Sequence, residues 1–441
     1  MMKLFFDPDL LIEESDDGKV WIYSSGNHKW LKGNSAVKIL VKTIAQNSGI
    51  VDFEKIKSEF IDHRPKLSDE EIKQAIDDMV KAEIFFYRKA NLEESIQQFK
   101  REYQIQKSQP PKIAYLHPTH RCNFHCWYCY NAKITKDKSN ELSTNDWIKS
   151  IEKLEQIGIK KFVITGGEPL LREDLYEILK RTKTTTISYE LLTNGSLFNE
   201  ENFWKLNSVI DRFVISLDSL DKEIQGRNRG IKYFNHILKN IEMFSKYFPE
   251  KLWIRSIITS DNINDIERTR RELRERYNIS NYVATIFLPN SYEQIPSMPD
   301  IKKLIKIENE HISEETFLNY GPNYKLKCGG GTSIIAIDAK GDIYPCQNFI
   351  EETQFKISNV LNDNWYDELM DSPIRERFRK LSVNEKEICK ECPYRYLCGG
   401  GCPAISWRVY KRLDAFLPFL CEYLRNDARR RLMHSSTVKV R

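Results

Sequence analysis

The ten cysteines constrain this chain more than any other feature. Three lie together as Cys122, Cys126 and Cys129, and seven crowd the C-terminal stretch as Cys328, Cys346, Cys389, Cys392, Cys398, Cys402 and Cys421. Thiols at such spacings, in a chain with no secretory signal in Met1 to Asp7, point to metal or redox chemistry before disulfides. No run of 18 apolar residues offers a membrane span, so a cytoplasmic protein is expected. At 441 residues, 41% hydrophobic and 30% charged, the composition is globular and too long for one core, which predicts two or three domains. Sixty-eight basic against 63 acidic side chains give a net charge of +5. That balance carries no nucleic-acid footprint and mildly suits an acidic peptide partner.

Periodicity divides the chain into four stretches. Residues 1–90 open with short β-like runs at Leu10–Glu14, Val20–Ser24 and His28–Leu31, the first two parted by the turn cluster Ser15-Asp16-Asp17-Gly18. Three helical patterns follow, the clearest starting at Ser68 with Glu71 completing a capping box. Its residues Ile72, Ala75, Ile76, Met79 and Val80 form one apolar stripe, and Ile84–Tyr87 returns as a strand. This is a winged-helix-like α+β pattern. Residues 91–110, charged, Gln-rich and closed by Pro110-Pro111, read as a helical or extended linker.

Residues 111–305 alternate strand and helix. Strands are predicted at Ile113–His117, Lys161–Thr165, Ile187–Leu192, Phe213–Leu217, Leu252–Ile258 and Tyr282–Leu288, with amphipathic helices such as Asp146–Ile157 and Tyr233–Tyr247 between them. Six βα units predict an α/β fold, a parallel sheet curved into a partial (βα)6 TIM-like barrel with reactive groups at the C-terminal strand ends. Residues 306–441 lose the alternation and hold the seven cysteines, so metal is expected to replace part of the apolar core there.

Cys122-x3-Cys126-x2-Cys129 follows the first barrel strand. Three thiolates on one loop can hold three irons of a cubane cluster and leave the fourth iron open to a substrate. The alternative is a zinc site, with His117, His120 or His125 as fourth ligand. The triplet, with Tyr128 before its last cysteine, resembles the radical SAM superfamily signature. Gly166-Gly167-Glu168-Pro169, thirty-seven residues on and after the second strand, resembles that family's GGE motif. The resemblance implies that Gly166, Gly167 and Glu168 hold the methionyl ammonium of S-adenosylmethionine, a charge-assisted contact. It also implies ribose and methionine contacts from Thr193-Asn194-Gly195 and Ser216-Leu217-Asp218. Arg229 resembles the arginine that pairs with the methionyl carboxylate. Related proteins usually read His-Asp where this chain has Gln225-Gly226, which leaves Arg227 as the alternative.

The seven remaining cysteines, with Gly341-x4-Cys346 and Cys389-x2-Cys392-x5-Cys398-x3-Cys402, resemble the SPASM domain. That resemblance implies two auxiliary [4Fe–4S] clusters. Cys389, Cys392, Cys398 and Cys421 would fill one; Cys328, Cys346 and Cys402 would hold the other, its fourth ligand unassigned. Two zinc sites are the alternative. The first ninety residues resemble the RiPP recognition element, which binds leader peptides of ribosomally made natural products. The leader would add a strand at the edge His28-Lys29-Trp30-Leu31, beside the helix Ser68–Ala82. A DNA-binding winged helix is the alternative, but Lys73 and Lys81 are outnumbered by Asp69, Glu70, Glu71, Asp77 and Asp78.

Together these features imply a three-domain radical SAM peptide maturase that carries three [4Fe–4S] clusters. It would bind a precursor peptide, take electrons from a flavodoxin or ferredoxin, and install a crosslink through a 5′-deoxyadenosyl radical. Neither nucleic acid nor membrane is an expected partner. A cysteine thioether is the favoured product, with carbon–carbon or carbon–oxygen crosslinks as alternatives. Other readings are an anaerobic sulfatase-maturating type oxidase, which gives no reason for residues 1–90, and an iron–sulfur redox-sensing regulator, which gives none for Glu168, Ser216 and Arg229 together.

Overall fold

The computed structural model describes residues 2–15, 17–60, 68–107, 109–132, 140–311, 325 and 327–433; Asp16 of the expected turn lies outside them. Strands β1 (Leu10–Glu14), β2 (Val20–Ser24) and β3 (Lys29–Gly33) form an antiparallel sheet in that order. Helices α1 (Ser35–Gln46), α2 (Phe53–Glu59) and α3 (Asp69–Lys81) cover one face. The capping box forms as read: the Ser68 hydroxyl accepts the Glu71 N–H, and the Glu71 carboxylate accepts the Ser68 N–H. Ile72, Ile76 and Met79 then bury against Val20, Ile22 and Leu31. Phe5–Phe6 pairs with Phe85–Phe86, tying the start of this unit to its end. The expected linker is mostly helix α4 (Lys89–Lys107).

The barrel strands are β4 (Ile113–Leu116), β5 (Lys161–Ile164), β6 (Ser188–Thr193), β7 (Arg212–Ser216), β8 (Leu252–Ile258) and β9 (Tyr282–Ile286). All six are parallel and neighbour one another in chain order. Between them run α5 (Thr144–Gln156), α6 (Leu175–Thr182), α7 (Glu200–Asn207), α8 (Lys222–Arg229), α9 (Phe234–Tyr247) and α10 (Ile266–Tyr277). Alternation along each strand decides what faces the helices. Ala114, Leu116, Phe162, Ile164, Phe213 and Ile215 join Trp147, Ile151 and Leu154 of α5 and Ile237, Ile241 and Phe244 of α9 in the main core. Tyr115 and His117 therefore point the other way.

After α11 (Ile301–His311) the chain returns to the sheet, which the sequence did not foretell. β10 (Ile334–Ile337) pairs parallel with β4, in register Ala336 to Tyr115. β11 (Asp342–Tyr344) and β12 (Ser358–Asn359) follow antiparallel, giving nine strands in the order β9-β8-β7-β6-β5-β4-β10-β11-β12. Three of the four residues in Ile334-Ile335-Ala336-Ile337 are β-branched, and the run is too short to show periodicity. It covers the edge that β4 would otherwise leave unpaired. The sheet thus runs unbroken past residue 305. Helices α12 (Trp365–Met370), α13 (Pro373–Arg379), α14 (Arg395–Cys398), α15 (Pro403–Tyr410) and α16 (Pro418–Met433) complete the tail. Among the described residues no helix is long and apolar enough to cross a membrane.

The other face of the N-terminal sheet is covered by the tail. Leu11, Trp21 and Tyr23 bury with Tyr394, Leu397, Ala428 and Leu432, and Trp30, Cys392 and Cys398 pack against the same cluster. Polar contacts ring it: Arg429 Nε donates to Glu13 Oε2 at 2.6 Å, Arg395 pairs with Asp9, and Tyr394 donates to Glu13. Trp21→Ala should therefore cost about 3–5 kcal/mol at this contact. A lower denaturant midpoint, with binding of an apolar dye at this face, is the expected result; an unchanged midpoint would show that the sheet does not depend on the tail.

Candidate functional site

Cys122, Cys126 and Cys129 occupy the loop leaving β4, where the parallel sheet presents its C-terminal strand ends. The Cys122 thiol accepts the Phe124 N–H at 3.4 Å, and the Cys129 N–H donates to the Cys126 carbonyl at 3.1 Å, folding the triplet into a turn. All ten cysteines are free thiols. Burial pushes Cys122 up to about 11 and raises Cys126 as well. These sulfurs ionise only when a cation replaces the lost hydration, as metal ligands do.

The GGE segment is pressed onto this loop, backbone against backbone. Gly167 N–H donates to the Thr119 carbonyl at 3.0 Å and Glu168 N–H to the Arg121 carbonyl at 2.7 Å. A Cβ on Gly167 would stand 2.0 Å from Arg121 O, and one on Gly166, whose φ is +125°, 2.5 Å from Thr119 O. Glycine is required at both positions for the approach itself. Asn131 Nδ2 donates to the Gly166 carbonyl at 3.0 Å, closing the far side.

Glu168 is buried, and its carboxylate accepts from Thr193 Oγ1 at 2.7 Å, Asn194 N–H at 2.8 Å and Leu170 N–H at 3.1 Å. Burial outweighs these donors and pushes the carboxyl up to about 7. Asn194 also donates to Asn123 Oδ1 at 2.8 Å, so the end of β6 touches the cysteine loop. Gly195, at φ +76°, lets the chain turn there.

A second knot stands at the end of β7. Asp218 is fully buried; it accepts from Tyr128 OH and from Ile257 N–H at 2.9 Å, and pairs with Arg229 at 3.0 Å. Arg229 lies over the Tyr128 ring, 5.3 Å from its centroid. Its Nε is buried with no partner, while Arg227 is exposed. Gln225 accepts the N–H groups of Asp218 at 2.8 Å and Ser219 at 3.3 Å, pinning the strand end. Ser216 is half-buried on β7 next to this knot.

Two of the three histidines weighed as zinc ligands, His117 and His120, lie with ring centroids 6.1 Å apart, but none of the three forms a metal-binding group among the described residues. His125 is exposed, His120 lies 3.8 Å from Asp338, and His117 is buried with neither ring nitrogen bonded. Among the described residues no three of Cys, His, Asp and Glu close around a single ion.

The tail cysteines divide by which thiolates feel one another. Burial raises Cys346, and the Cys328 and Cys402 sulfurs raise it further. Burial likewise raises Cys389, with Cys398, Cys392 and Cys421 adding repulsion. Asp338 accepts the N–H groups of Lys340 and Asp342 at 2.9 Å, and Asp342 binds Lys356 at 2.6 Å and Asn359 at 2.7 Å, so both carboxylates are engaged.

Sequence reasoning missed the residues that join these parts. Arg408 donates to Asn290 Oδ1 at 2.6 Å and to the carbonyls of Asn348 at 2.7 Å and Tyr130 at 3.4 Å. Asn290 in turn donates to the carbonyls of Tyr128 at 3.2 Å and Cys129 at 3.3 Å. One arginine on α15 thus spans the cysteine loop and the segment after Cys346. A polar residue between apolar ones on a helix gives no sign of such a partner.

Comparison with known proteins agrees with this arrangement. Residues 116–273 match the model of the radical SAM superfamily, and residues 328–393 match SPASM, an iron–sulfur cluster-binding domain. The chain is 24% identical to the antilisterial bacteriocin subtilosin biosynthesis protein AlbA of Bacillus subtilis, over 64% of this chain and 65% of that one. It is also 24% identical to a PqqA peptide cyclase of Bradyrhizobium diazoefficiens, over 66% and 81%. In fold it is similar to SuiB of Streptococcus suis bound to precursor peptide SuiA, with a TM-score of 0.55, 18% identity and coverage of 94% and 98%. With both family models matched in order, residues 116–273 are a radical SAM domain and residues 328–393 a SPASM iron–sulfur cluster-binding domain behind it.

Proposed function

We propose that this chain is a peptide maturase that uses S-adenosylmethionine and three [4Fe–4S] clusters to crosslink a ribosomally made precursor peptide. The observation that carries the reading is the convergence of the Cys122 loop, Glu168 and the Asp218–Arg229 pair at one end of a parallel sheet. Cys122, Cys126 and Cys129 would hold the site cluster. Cys389, Cys392, Cys398 and Cys421 would hold a fully ligated auxiliary cluster, and Cys328, Cys346 and Cys402 the third. When bound, the site cluster and S-adenosylmethionine supply a one-electron cleavage to methionine and a 5′-deoxyadenosyl radical, which takes hydrogen from an unactivated carbon.

The protein's own part is to bind, orient and exclude water. Glu168 offers a desolvated carboxylate to the methionyl ammonium, where a charge-assisted bond is strong. Arg229, held by Asp218 through one nitrogen, keeps Nε for the methionyl carboxylate. Tyr128, Gly166, Gly167, Thr193, Asn194 and Ser216 would frame the rest of the cofactor. The engaged state of Asp338 and Asp342 supports a three-thiolate cluster whose remaining iron takes a substrate thiolate, and with it a thioether product.

The relatives' names support a peptide substrate, and the SuiB likeness extends through the N-terminal unit. Among the described residues β3 pairs only with β2, which leaves an edge for a leader strand. Lys29 of β3 is bonded to Glu83 at 2.9 Å, and His28 stacks on Phe99 of α4, so α4 as well as α3 borders that edge. Ten free thiols suit the reducing cytoplasm, with a flavodoxin or ferredoxin as electron donor.

Anaerobically reconstituted protein should hold about twelve irons per chain, and the C122A/C126A/C129A variant about eight with no cleavage of S-adenosylmethionine. Iron near four in the unaltered protein would remove the auxiliary clusters from the reading. A second outcome concerns pH. The Glu168 carboxyl is raised to about 7, and an ammonium binds only its ionised form. Affinity for S-adenosylmethionine should therefore rise between pH 6 and 8, with proton release on binding at the acid end. E168Q should weaken binding about 10- to 100-fold and flatten that slope; calorimetry in buffers of different ionisation heat reads both. Finally, adding the precursor peptide should slow amide exchange across residues 29–33. Unprotected amides there, with turnover intact, would move the leader site elsewhere.

A further inference from the structure

Two features of the tail lie between its cysteine sets and are not used by the chemistry above. The first is Gly399-Gly400-Gly401, which links Cys398 of the four-thiol set to Cys402 of the three-thiol set. All three glycines have left-handed backbone, at φ +78°, +75° and +81°. This run directs the N–H groups of Gly400 and Gly401 onto the Cys398 sulfur. The second is Lys386, only 8% exposed, whose ammonium donates to the Gly400 carbonyl at 2.7 Å. A Cβ on Gly400 would lie 3.3 Å from Lys386 Cδ and 3.4 Å from its Nζ, so the lysine is laid directly along the bridge.

A lysine is among the residues least often buried, and burial by itself pushes this one down. The Gly400 carbonyl that holds this ammonium lies between Cys398 of one set and Cys402 of the other, and Cys389 follows Lys386 by three residues in the chain. Lys325, which is exposed, stands against Gly399, where a Cβ would meet its Cβ at 2.9 Å. Two cations therefore flank the glycine bridge.

We propose that Lys386 is a positioning residue that sets the reduction potentials of the two auxiliary clusters together, its fixed charge standing between them. The inference rests on the cluster assignment of the preceding section. Reducing a cluster adds one negative charge, and a buried ammonium alongside stabilises that state. The potential of both auxiliary clusters is raised, which suits them to accept electrons. The Gly400 carbonyl fixes the ammonium, and the run of three glycines lets the carbonyl reach it.

The test is an EPR-monitored redox titration of the full-length, reconstituted protein, with iron measured on every sample. K386M should move the auxiliary midpoints to more negative potential, K386R should stay near the unaltered protein, and the Cys122 cluster should not move in either. If K386M is short of iron, K386Q, which keeps a donor for Gly400 without the charge, decides the same question. An iron-replete neutral variant with unaltered auxiliary midpoints would overturn the assignment of Lys386. Loss of auxiliary iron from both neutral variants would overturn it too, because Lys386 would then be a structural support of the glycine bridge. Iron near four in the unaltered protein would instead overturn the cluster reading on which it rests.

Discussion

The close approach of two backbones holds this site together. Gly166 and Gly167 lie against Thr119 to Arg121 with no room for a side chain, and two short hydrogen bonds fix the register. Because both segments leave neighbouring parallel strands, the contact aligns the β4 loop, which carries the thiols, with the β5 loop, which carries Glu168. Every later member builds on that alignment. Thr193 and Asn194 reach Glu168 from β6, Asn123 reaches Asn194 from the cysteine loop, and Tyr128 reaches across to Asp218 beyond β7.

Burial then gives the site its chemical character. Glu168 and Asp218 are both removed from water, but their surroundings differ. Asp218 has a guanidinium, a phenol and an N–H, whereas Glu168 has only neutral donors and is left short of a cation. A buried carboxylate without a counter-charge is costly unless a ligand supplies one. That asymmetry leaves Glu168 in want of a cation and makes Asp218 the anchor for Arg229. The same desolvation keeps the cysteines as thiols until metal arrives, so cluster loading releases protons and adds to stability.

The three stretches of the chain are also less separate than a beads-on-string picture suggests. β10 extends the barrel sheet, and Arg408 ties the cysteine loop to the segment after Cys346. The N-terminal sheet lends Trp21, Tyr23 and Trp30 to a cluster that includes Cys392 and Cys398. The strand proposed to take the leader and the four-thiol site therefore share a wall.

Much was legible in the sequence because it is local. The 2- and 3.6-residue periods gave the six barrel strands to within a residue or two and the capped helix after Ser68, and the cysteine spacings marked the radical SAM and SPASM stretches. Local pattern also placed Gly166-Gly167-Glu168 at a strand end, without revealing that both glycines exist to admit Arg121 and Thr119. What only tertiary structure decided depends on contacts between residues far apart in the chain. The side of α8 that meets Asp218 carries Arg229, and Lys386 found Gly400 only through the fold of the tail. Strand β10 is too short to carry a period, so its place beside β4 was set by an unpaired edge. Periodicity reports how one element divides its faces between core and solvent. It is silent on which distant element supplies the partner, because that is fixed by packing and by the need of each buried charge and open edge to be met.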